Sequence, residues 1–461
     1  MSTFVYRTRI PAPAGYVFNW LERPGALERL TPPWERVRIM KKSGGLENGS
    51  RVTLRHRVGP YWQEWLIEHR DFIAGRQFRD IQILGPFNRW EHLHLVEPDG
   101  ENACFLEDRI EYRMPLLGLS QPVMGFWVRK RLQRMFAYRH AAAASDIAAH
   151  YACRDRGSLR ILISASTGLL GSNLVPFLTA GGHRVVRLVR KPLHSAEEEI
   201  VWNPAVGELD PAQLEGFDAI IHLSGENIAP GRWKLGKRER VWNSRVRSTE
   251  LLVNAVTRLK QPPKVFVCAS GTGWYGEGGD TELTEDTPSG SGGFFVDLVR
   301  TWEAAAEPAA RKGIRVVNAR IGVVLTPAGG ALKMMLPAFL WGAGSVLADA
   351  NHYTAWLTLD DILGMFHHVV MTDSLRGPVN FVTQPITQKD FSIAVGRVLN
   401  RPVWLTVPVW AIRLMIGQEM AEAMSWNQRV IPAKLAASRY RFRYPDLDAG
   451  LRHVLGETDS L

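Results

Sequence analysis

Apolar and polar positions alternate over residues 3–10, with Phe4, Tyr6, Thr8 and Ile10 on one side and Val5, Arg7 and Arg9 on the other. The chain is therefore expected to open on a half-buried strand. Pro11–Ala12–Pro13 then starts a helix whose apolar face carries Val17, Phe18, Trp20 and Leu21 and which ends near Gly25. A second short helix is stopped by Thr31–Pro32–Pro33. From Val37 to Met114 the period returns to two. Val52–His56, Tyr61–His69, Phe78–Ile83, Trp90–Val96 and Cys104–Met114 read as strands, separated by turn residues such as Gly75, Gly85–Pro86 and Pro98–Asp99–Gly100. Val123 to about His150 has helical spacing, with Val123, Phe126, Val128, Leu132, Met135 and Phe136 on its apolar side. This order predicts an α+β unit over residues 1–150: a strand, two helices, a run of antiparallel strands and one long helix.

Beyond the short polar joint Tyr151–Ser158 the pattern changes. Arg160–Ser164, Arg184–Val189, Ala219–Leu223, Val265–Cys268 and Val316–Ala319 are near-continuous apolar runs, as expected of a parallel sheet covered on both faces. Thr249–Leu259 and Leu298–Arg311 read as helices between them. A doubly wound α/β (Rossmann) domain is thus predicted over residues 159–385. After about residue 325 the alternation loosens. A helix Gln388–Leu399, an extended run Val403–Val409 and an amphipathic helix Ala411–Ala423 predict a small C-terminal lobe over residues 386–461, covering the cleft.

The sharpest chemical signal lies at the first junction of that alternation. Residues 161–171 run Ile-Leu-Ile-Ser-Ala-Ser-Thr-Gly-Leu-Leu-Gly, an apolar strand breaking into small residues and then a helix. Ser164, Ala165, Ser166, Thr167 and Gly168 carry no bulky side chain, so backbone amides can approach an anion. The helix from about Leu169 and Leu170 onward turns its positive end to the same place. Gly171 lets that helix pack tightly on the strand. The junction is read as a dinucleotide pyrophosphate site.

Composition narrows the classes. The apolar fraction of 46% and charged fraction of 22% over 461 residues fit a soluble globular protein of two or three domains. No run of about 18 apolar residues is present, so no membrane span is expected, and the N-terminus shows no signal-peptide pattern. Cys104, Cys153 and Cys268 have no metal or redox spacing and fit a reducing cytoplasm. The net charge is +10, but the basic stretches Arg129–Arg131 and Lys237–Arg240 come with no nucleic-acid motif and are read as solvated faces. Sixteen tryptophans suit large apolar cavities or interfaces. His92 and His94 share a strand face, with Glu107 and Asp108 on a neighbouring strand. They are expected to be satisfied polar residues, and no metal is expected.

Residues 160–458 resemble the atypical extended short-chain dehydrogenases/reductases known as epimerase family proteins. The matching stretches are Ser164–Gly171, Asp218–Asn227, Ser244–Leu252, Ser270–Gly276, Trp302–Glu303, Arg320–Leu325, Gly329–Leu332, Trp356–Asp361, Gly377–Phe381, Gln428–Arg429–Val430 and Tyr440–Pro445. The N-terminal unit resembles, by its order of elements, the helix-grip domains of the START/polyketide-cyclase-like (SRPBCC) group, which hold an apolar ligand between sheet and helix.

The resemblance implies a nicotinamide cofactor. NAD sites place a carboxylate at the end of the second strand, but here that strand ends in Arg190 and Lys191. Two cations suit a 2′-phosphate, so NADP(H) is expected over NAD. Leu223, Ser224 and Gly225 are expected beside the adenosine half, with Glu226 and Asn227 reaching the cleft. Ala165 stands where the family's first glycine sits, which alanine tolerates at negative φ. Lys234 and Lys237 are candidates for anions in the following loop, and Arg320 for a carboxylate or phosphate at the cleft mouth.

The family's usual Tyr-x-x-x-Lys pair falls on Phe295 and Val299, which carry no transferable proton. Ser270 and Thr272 stand at the family's hydroxyl-donor positions, and Tyr275 lies in a slot that is usually structural. These three are the candidate catalytic residues. An oxidoreductase or epimerase-like enzyme acting on a small molecule is the first reading. A non-catalytic dinucleotide- and lipid-binding regulator, like relatives described as cell-division inhibitors, is the alternative. A homodimer stays open.

Overall fold

The computed structural model describes all residues except 59, 116–120, 194–197, 229–234, 348–349 and 458–461. The chain divides into two compact units, one built on Met1–Asp155 and the other on Arg156–Leu178 and His183–Arg452. Residues 386–452, expected as a separate lobe, fall within the second. None of the helices among the described residues is long and apolar enough to cross a membrane.

The first unit is a seven-stranded antiparallel sheet in the order β1-β7-β6-β5-β4-β3-β2. Its strands are β1 Ser2–Ile10, β2 Val37–Ser43, β3 Arg51–Val58, β4 Tyr61–Ile73, β5 Gln77–Leu84, β6 Arg89–Pro98 and β7 Cys104–Arg113. The long helix Gln121–Ala152 lies on one face of it. Phe136 and Leu132 pack with Phe4, Ile110 and Tyr112, while Ala142, Ala143 and Ile147 pack with Ile10, Val96 and Leu106. Phe126, expected on the apolar face, is exposed, and the side chain of Val123 lies outside the described residues. The short helix Ala26–Arg29 is fixed to the long one by a buried ion pair, Arg29 Nε to Asp146 Oδ2 at 2.6 Å.

The second unit holds a seven-stranded parallel sheet. Its strands are β8 Arg160–Ser164, β9 Arg184–Val189, β10 Glu198–Val201, β11 Ala219–His222, β12 Val265–Gly271, β13 Arg315–Ile321 and β14 Gly377–Phe381. The order is β10-β9-β8-β11-β12-β13-β14. Successive residues serve opposite faces. Ile161, Ile163, Val267 and Ala319 pack under the helices Gly171–Ala180 and Leu359–Met371. Leu162, Ile220, Phe266 and Cys268 pack under Val246–Val256 and Phe294–Ala304. Because β8 lies between β9 and β11, the chain leaves it in opposite directions. The crevice at its carboxyl end is the switch point where such sheets bind ligands.

Two expected elements differ. Leu298–Arg311 is two helices, Phe294–Ala304 and Glu307–Arg311, because Pro308 opens a new first turn where its missing N–H costs nothing. Ala411–Ala423 is also two, Val409–Ile416 and Gln418–Ser425, broken at Gly417, whose φ of 94° no right-handed helix accepts. Edge strands β2, β10 and β14 are additions to the strands read from the sequence.

The C-terminal segment is tied down by one carboxylate. Asp361 is buried, and its oxygens accept from Thr358 Oγ1 (2.8 Å), the Arg443 amide (2.7 Å) and the Tyr444 amide (3.2 Å). Asp361→Ala is expected to lower stability by roughly 2–4 kcal/mol, since one buried donor left unmet costs about 1–3 kcal/mol. Chemical denaturation would show it, and an unchanged midpoint would remove Asp361 as the tie.

Candidate functional site

At the end of β8 the backbone turns through residues 165–170 into the helix Gly171–Ala180. The Gly168 amide donates to Ala165 O at 2.9 Å and closes the turn. A Cβ on Gly171 would lie 2.4 Å from Ala165 O and 2.7 Å from Ser166 Cα, so only glycine allows this approach. Thr167 and Gly168 are exposed, while Leu169 and Leu170 are half-buried. Ser166 is buried, and its hydroxyl has no hydrogen-bond partner. An exposed turn of small residues, a helix start and an unmet hydroxyl together fit a pyrophosphate.

Ala165 departs from the expectation of negative φ: its φ is 51°, in the left-handed region. The turn keeps the conformation a glycine would take, and the alanine carries the strain of a Cβ close to the following carbonyl, about 1–2 kcal/mol.

Ser164 serves the frame. Its buried Oγ accepts from the Leu223 amide (2.9 Å) and from Ser224 Oγ (3.0 Å), and lies 2.9 Å from His222 Nδ1. His222 is held neutral by burial, which pushes its pKa down to about 3. These bonds fasten the loop after β11 beside the turn after β8. In that loop Gly225 faces the guanidinium of Arg245, which a Cβ there would meet at 3.0 Å. Arg245 donates to the Glu226 and Val241 carbonyls and lies over Trp302. Glu226 accepts from Arg240 Nε at 3.0 Å, and Asn227 is exposed. Lys237 Nζ donates to the Ile228 carbonyl at 2.9 Å, and Lys234 lies outside the described residues. Arg190 and Lys191 are exposed just past the end of β9.

The candidate hydroxyls after β12 part company. Ser270 Oγ donates to Glu303 Oε1 at 2.6 Å. Glu303 also takes both arms of Arg320, Nε at 2.9 Å and Nη2 at 3.0 Å. Arg320 Nη1 donates to the Tyr275 hydroxyl (3.1 Å), and its carbon stands 4.0 Å from the Trp274 ring centroid. The Tyr275 hydroxyl has two acceptors in reach, Asn380 Oδ1 at 2.7 Å and Thr284 O at 2.9 Å. Burial pushes the phenol up to about 12, against the pull of Arg320. Arg320, expected at the cleft mouth, is therefore a buried keystone linking β12, β13 and the helix Phe294–Ala304, and Tyr275 is part of its setting. Thr272 alone of the three candidates keeps a hydroxyl without a partner among the described residues, and it is half-buried. Phe295 and Val299 lie against Gly273, each 3.5 Å from where its Cβ would be. Sequence reasoning assigned no role to Glu303 or Arg245, although both fell in stretches quoted for the resemblance.

In the first unit, Asp108 rather than Glu107 meets the histidine pair. Adjacent strand residues point to opposite faces, and Glu107 pairs with Arg7 and Arg109. The register sets His94 opposite Asp108 and His92 opposite Asp80. Asp108 lies 2.6 Å from His92 Nε2, 2.7 Å from His94 Nδ1 and 2.7 Å from His140 Nε2. Asp80 lies 2.7 Å from His69 Nδ1 and 3.3 Å from His94 Nε2. Both nitrogens of His94 thus face carboxylates and must donate. Burial opposes that charge, but Asp108 and Asp80 outweigh it and raise the pKa to about 9. Burial and the charge on His94 push His92 down to about 4. Ligand atoms of Asp80, His92 and His94 lie within 4.8 Å of one another, a spacing a metal ion could use. His69, His140 and Asp80 carried no signal in the sequence that joined them to this cluster.

Two outcomes are expected. Ala165→Gly should leave stability unchanged or raise it by up to about 1 kcal/mol, whereas glycine at an ordinary φ costs roughly 0.5–1 kcal/mol; thermal melts decide the sign. His94 gains its proton on folding, with the pKa raised from 6.5 to about 9. The stability it gives is full below pH 6.5 and lost as pH rises through about 9. His94→Gln should erase that alkaline limb and lower the whole curve of the N-terminal unit. An alkaline limb of the same size in the variant would assign the effect elsewhere.

The profile of the NAD dependent epimerase/dehydratase family matches residues 161–369, and that of a domain of unknown function, DUF1731, matches residues 407–454. Epimerase family protein Mb2239 of Mycobacterium bovis is 38% identical over 296 residues, covering 64% of this chain and 97% of that one. The human epimerase family protein SDR39U1 is 32% identical over 300 residues, covering 64% and 100%. The crystal structure of its isoform 2 with NADPH superposes with a TM-score of 0.60 over 64% of this chain and 99% of that one. A nucleoside-diphosphate sugar epimerase from Corynebacterium glutamicum, 27% identical, superposes with a TM-score of 0.80 over 98% of this chain and 90% of that one. With relatives matched over nearly their whole length and a Rossmann sheet whose first turn fits a pyrophosphate, the chain belongs to the epimerase family proteins, within the NAD dependent epimerase/dehydratase family.

Proposed function

We propose that the protein is an NADP(H)-dependent enzyme of the oxidoreductase or epimerase type, acting on a small polar or amphipathic molecule. The observation that carries this reading is the pairing of the bare turn after β8 with Arg190 and Lys191, exposed at the end of β9 where an NAD site would hold a carboxylate. The human relative crystallised with NADPH supports the same choice. The amides of Ser166 and Thr167 and the start of the helix Gly171–Ala180 hold the pyrophosphate, while the Gly168 amide keeps the turn closed. Arg190 takes the 2′-phosphate, with Lys191 adding charge, and the loop Leu223–Gly225 runs beside the adenosine half.

A bound nicotinamide supplies hydride transfer. The protein's part is positional. Phe295 and Val299 make the usual place of the proton donor apolar and exclude water from it. Thr272 offers its hydroxyl to a substrate oxygen at the tip of β12. Glu303 and Arg320 hold that tip still through Ser270.

The first unit is read as a START-like helix-grip domain that binds an apolar small molecule. The long helix packed on an antiparallel sheet supports this, as does a cavity of about 100 Å³ between them.

Arg190→Gln is expected to weaken NADPH binding about ten- to a hundredfold, the worth of a charge-assisted hydrogen bond of about 1.5–3 kcal/mol, and to leave NADH binding nearly unchanged. Fluorescence titration with both nucleotides measures it. Equal affinity of the unaltered protein for both would overturn the NADP(H) assignment.

A further inference from the structure

The cavity of the first unit has an apolar wall that includes Leu27, Leu30, Val52, Leu54, Ile67 and Leu106. Its polar lining includes Glu22, Arg23 and Lys42 and, apart from them, a cluster of His69, Asp80, His94, Asp108, Arg139 and His140. The two carboxylates of that cluster are spent on histidines, three on Asp108 and two on Asp80. Arg139 meets no carboxylate among the described residues, and its Nε is buried without a hydrogen-bond partner. Its guanidinium carbon stands 5.4 Å from the Phe136 ring centroid, and Asp108 and Asp80 act on it only through longer-range attraction.

Two imidazole nitrogens are left over as well. His69 gives Nδ1–H to Asp80 and His140 gives Nε2–H to Asp108, since carboxylates only accept. His69 Nε2 and His140 Nδ1 are then left over, and both atoms are buried with no partner among the described residues. So the polar wall carries one unmet N–H donor, Arg139 Nε, and two unmet imidazole nitrogens. Buried polar groups of this kind are rarely left unpaired in a folded protein.

Resting on the reading of this unit as a ligand-binding domain, we infer that the cavity takes a small apolar carboxylic acid, its carboxyl group against Arg139 and the histidine nitrogens and its hydrocarbon body against the leucine-rich wall. A carboxyl group matches both sets at once. One oxygen accepts from the guanidinium, and the acid proton sits on or passes to an imidazole. An alcohol is a poorer partner for the guanidinium, and an amine brings a second cation to it. At about 10–15 Å³ per water-sized site, a cavity of about 100 Å³ admits a ligand of roughly seven to ten heavy atoms. Hexanoate is of that size.

Calorimetric titration of the full chain with hexanoate, hexanol and hexylamine tests this. Hexanoate is expected to bind at least tenfold tighter than hexanol, with hexylamine weakest. In Arg139→Gln the preference for the acid should fall below twofold, and in Arg139→Lys, which keeps the charge, it should partly survive. If hexanol binds as well as hexanoate to the unaltered protein, the headgroup inference fails and the ligand-binding reading of the domain stands. If none of the three binds, that reading fails and takes the inference with it. Comparison of the three ligands on the unaltered protein decides the matter even if Arg139→Gln does not fold.

Discussion

The second unit depends on how closely the helix Gly171–Ala180 approaches β8. Side chains cannot enter that contact: a Cβ on Gly171 would lie within 2.4 Å of Ala165 O. The approach bends the chain so sharply that Ala165 is held at a φ of 51°, and it leaves Thr167 and Gly168 exposed at the helix start. Ser164 then stitches the neighbouring loop to the same place through Leu223, Ser224 and His222. Backbone geometry, rather than any side chain aimed at the crevice, makes the anion site.

A second constraint rules the far side of the crevice. Arg320 and Glu303 form a buried bidentate pair that also holds Ser270 and Tyr275. Two charges removed from water are stable there only because every arm is matched, and that matching occupies all four polar residues. Phe295 and Val299 lie against Gly273, and Thr272, just past the end of β12, keeps a hydroxyl without a partner among the described residues. The family relationship and the crevice geometry agree on a nicotinamide nucleotide.

The first unit follows the same physical rule with a different result. Asp108 and Asp80 are kept ionised by histidines, and His94 is charged because it lies between them. Here the matching is incomplete. Arg139, His69 and His140 line one cavity, and each keeps a buried nitrogen without a partner among the described residues.

Period and punctuation in the sequence were enough for the antiparallel run of the first unit, its long helix, the central strands of the parallel sheet and the phosphate turn, because each follows from local spacing and from residues that fix backbone shape. The edge strands β10 and β14 escaped, since short edge segments carry too few residues to show a period. The absence of a carboxylate after Val189 was legible in the same way, because a strand's end is a local feature. Which polar groups meet is not local. Asp108 displaced Glu107 through the strand register, His140 joined from a helix 32 residues further on, and Arg320 turned inward to Glu303. The sequence by itself determined where the backbone bends and which faces are apolar; tertiary structure alone decided which charges pair, because pairing depends on distances between segments far apart in the chain.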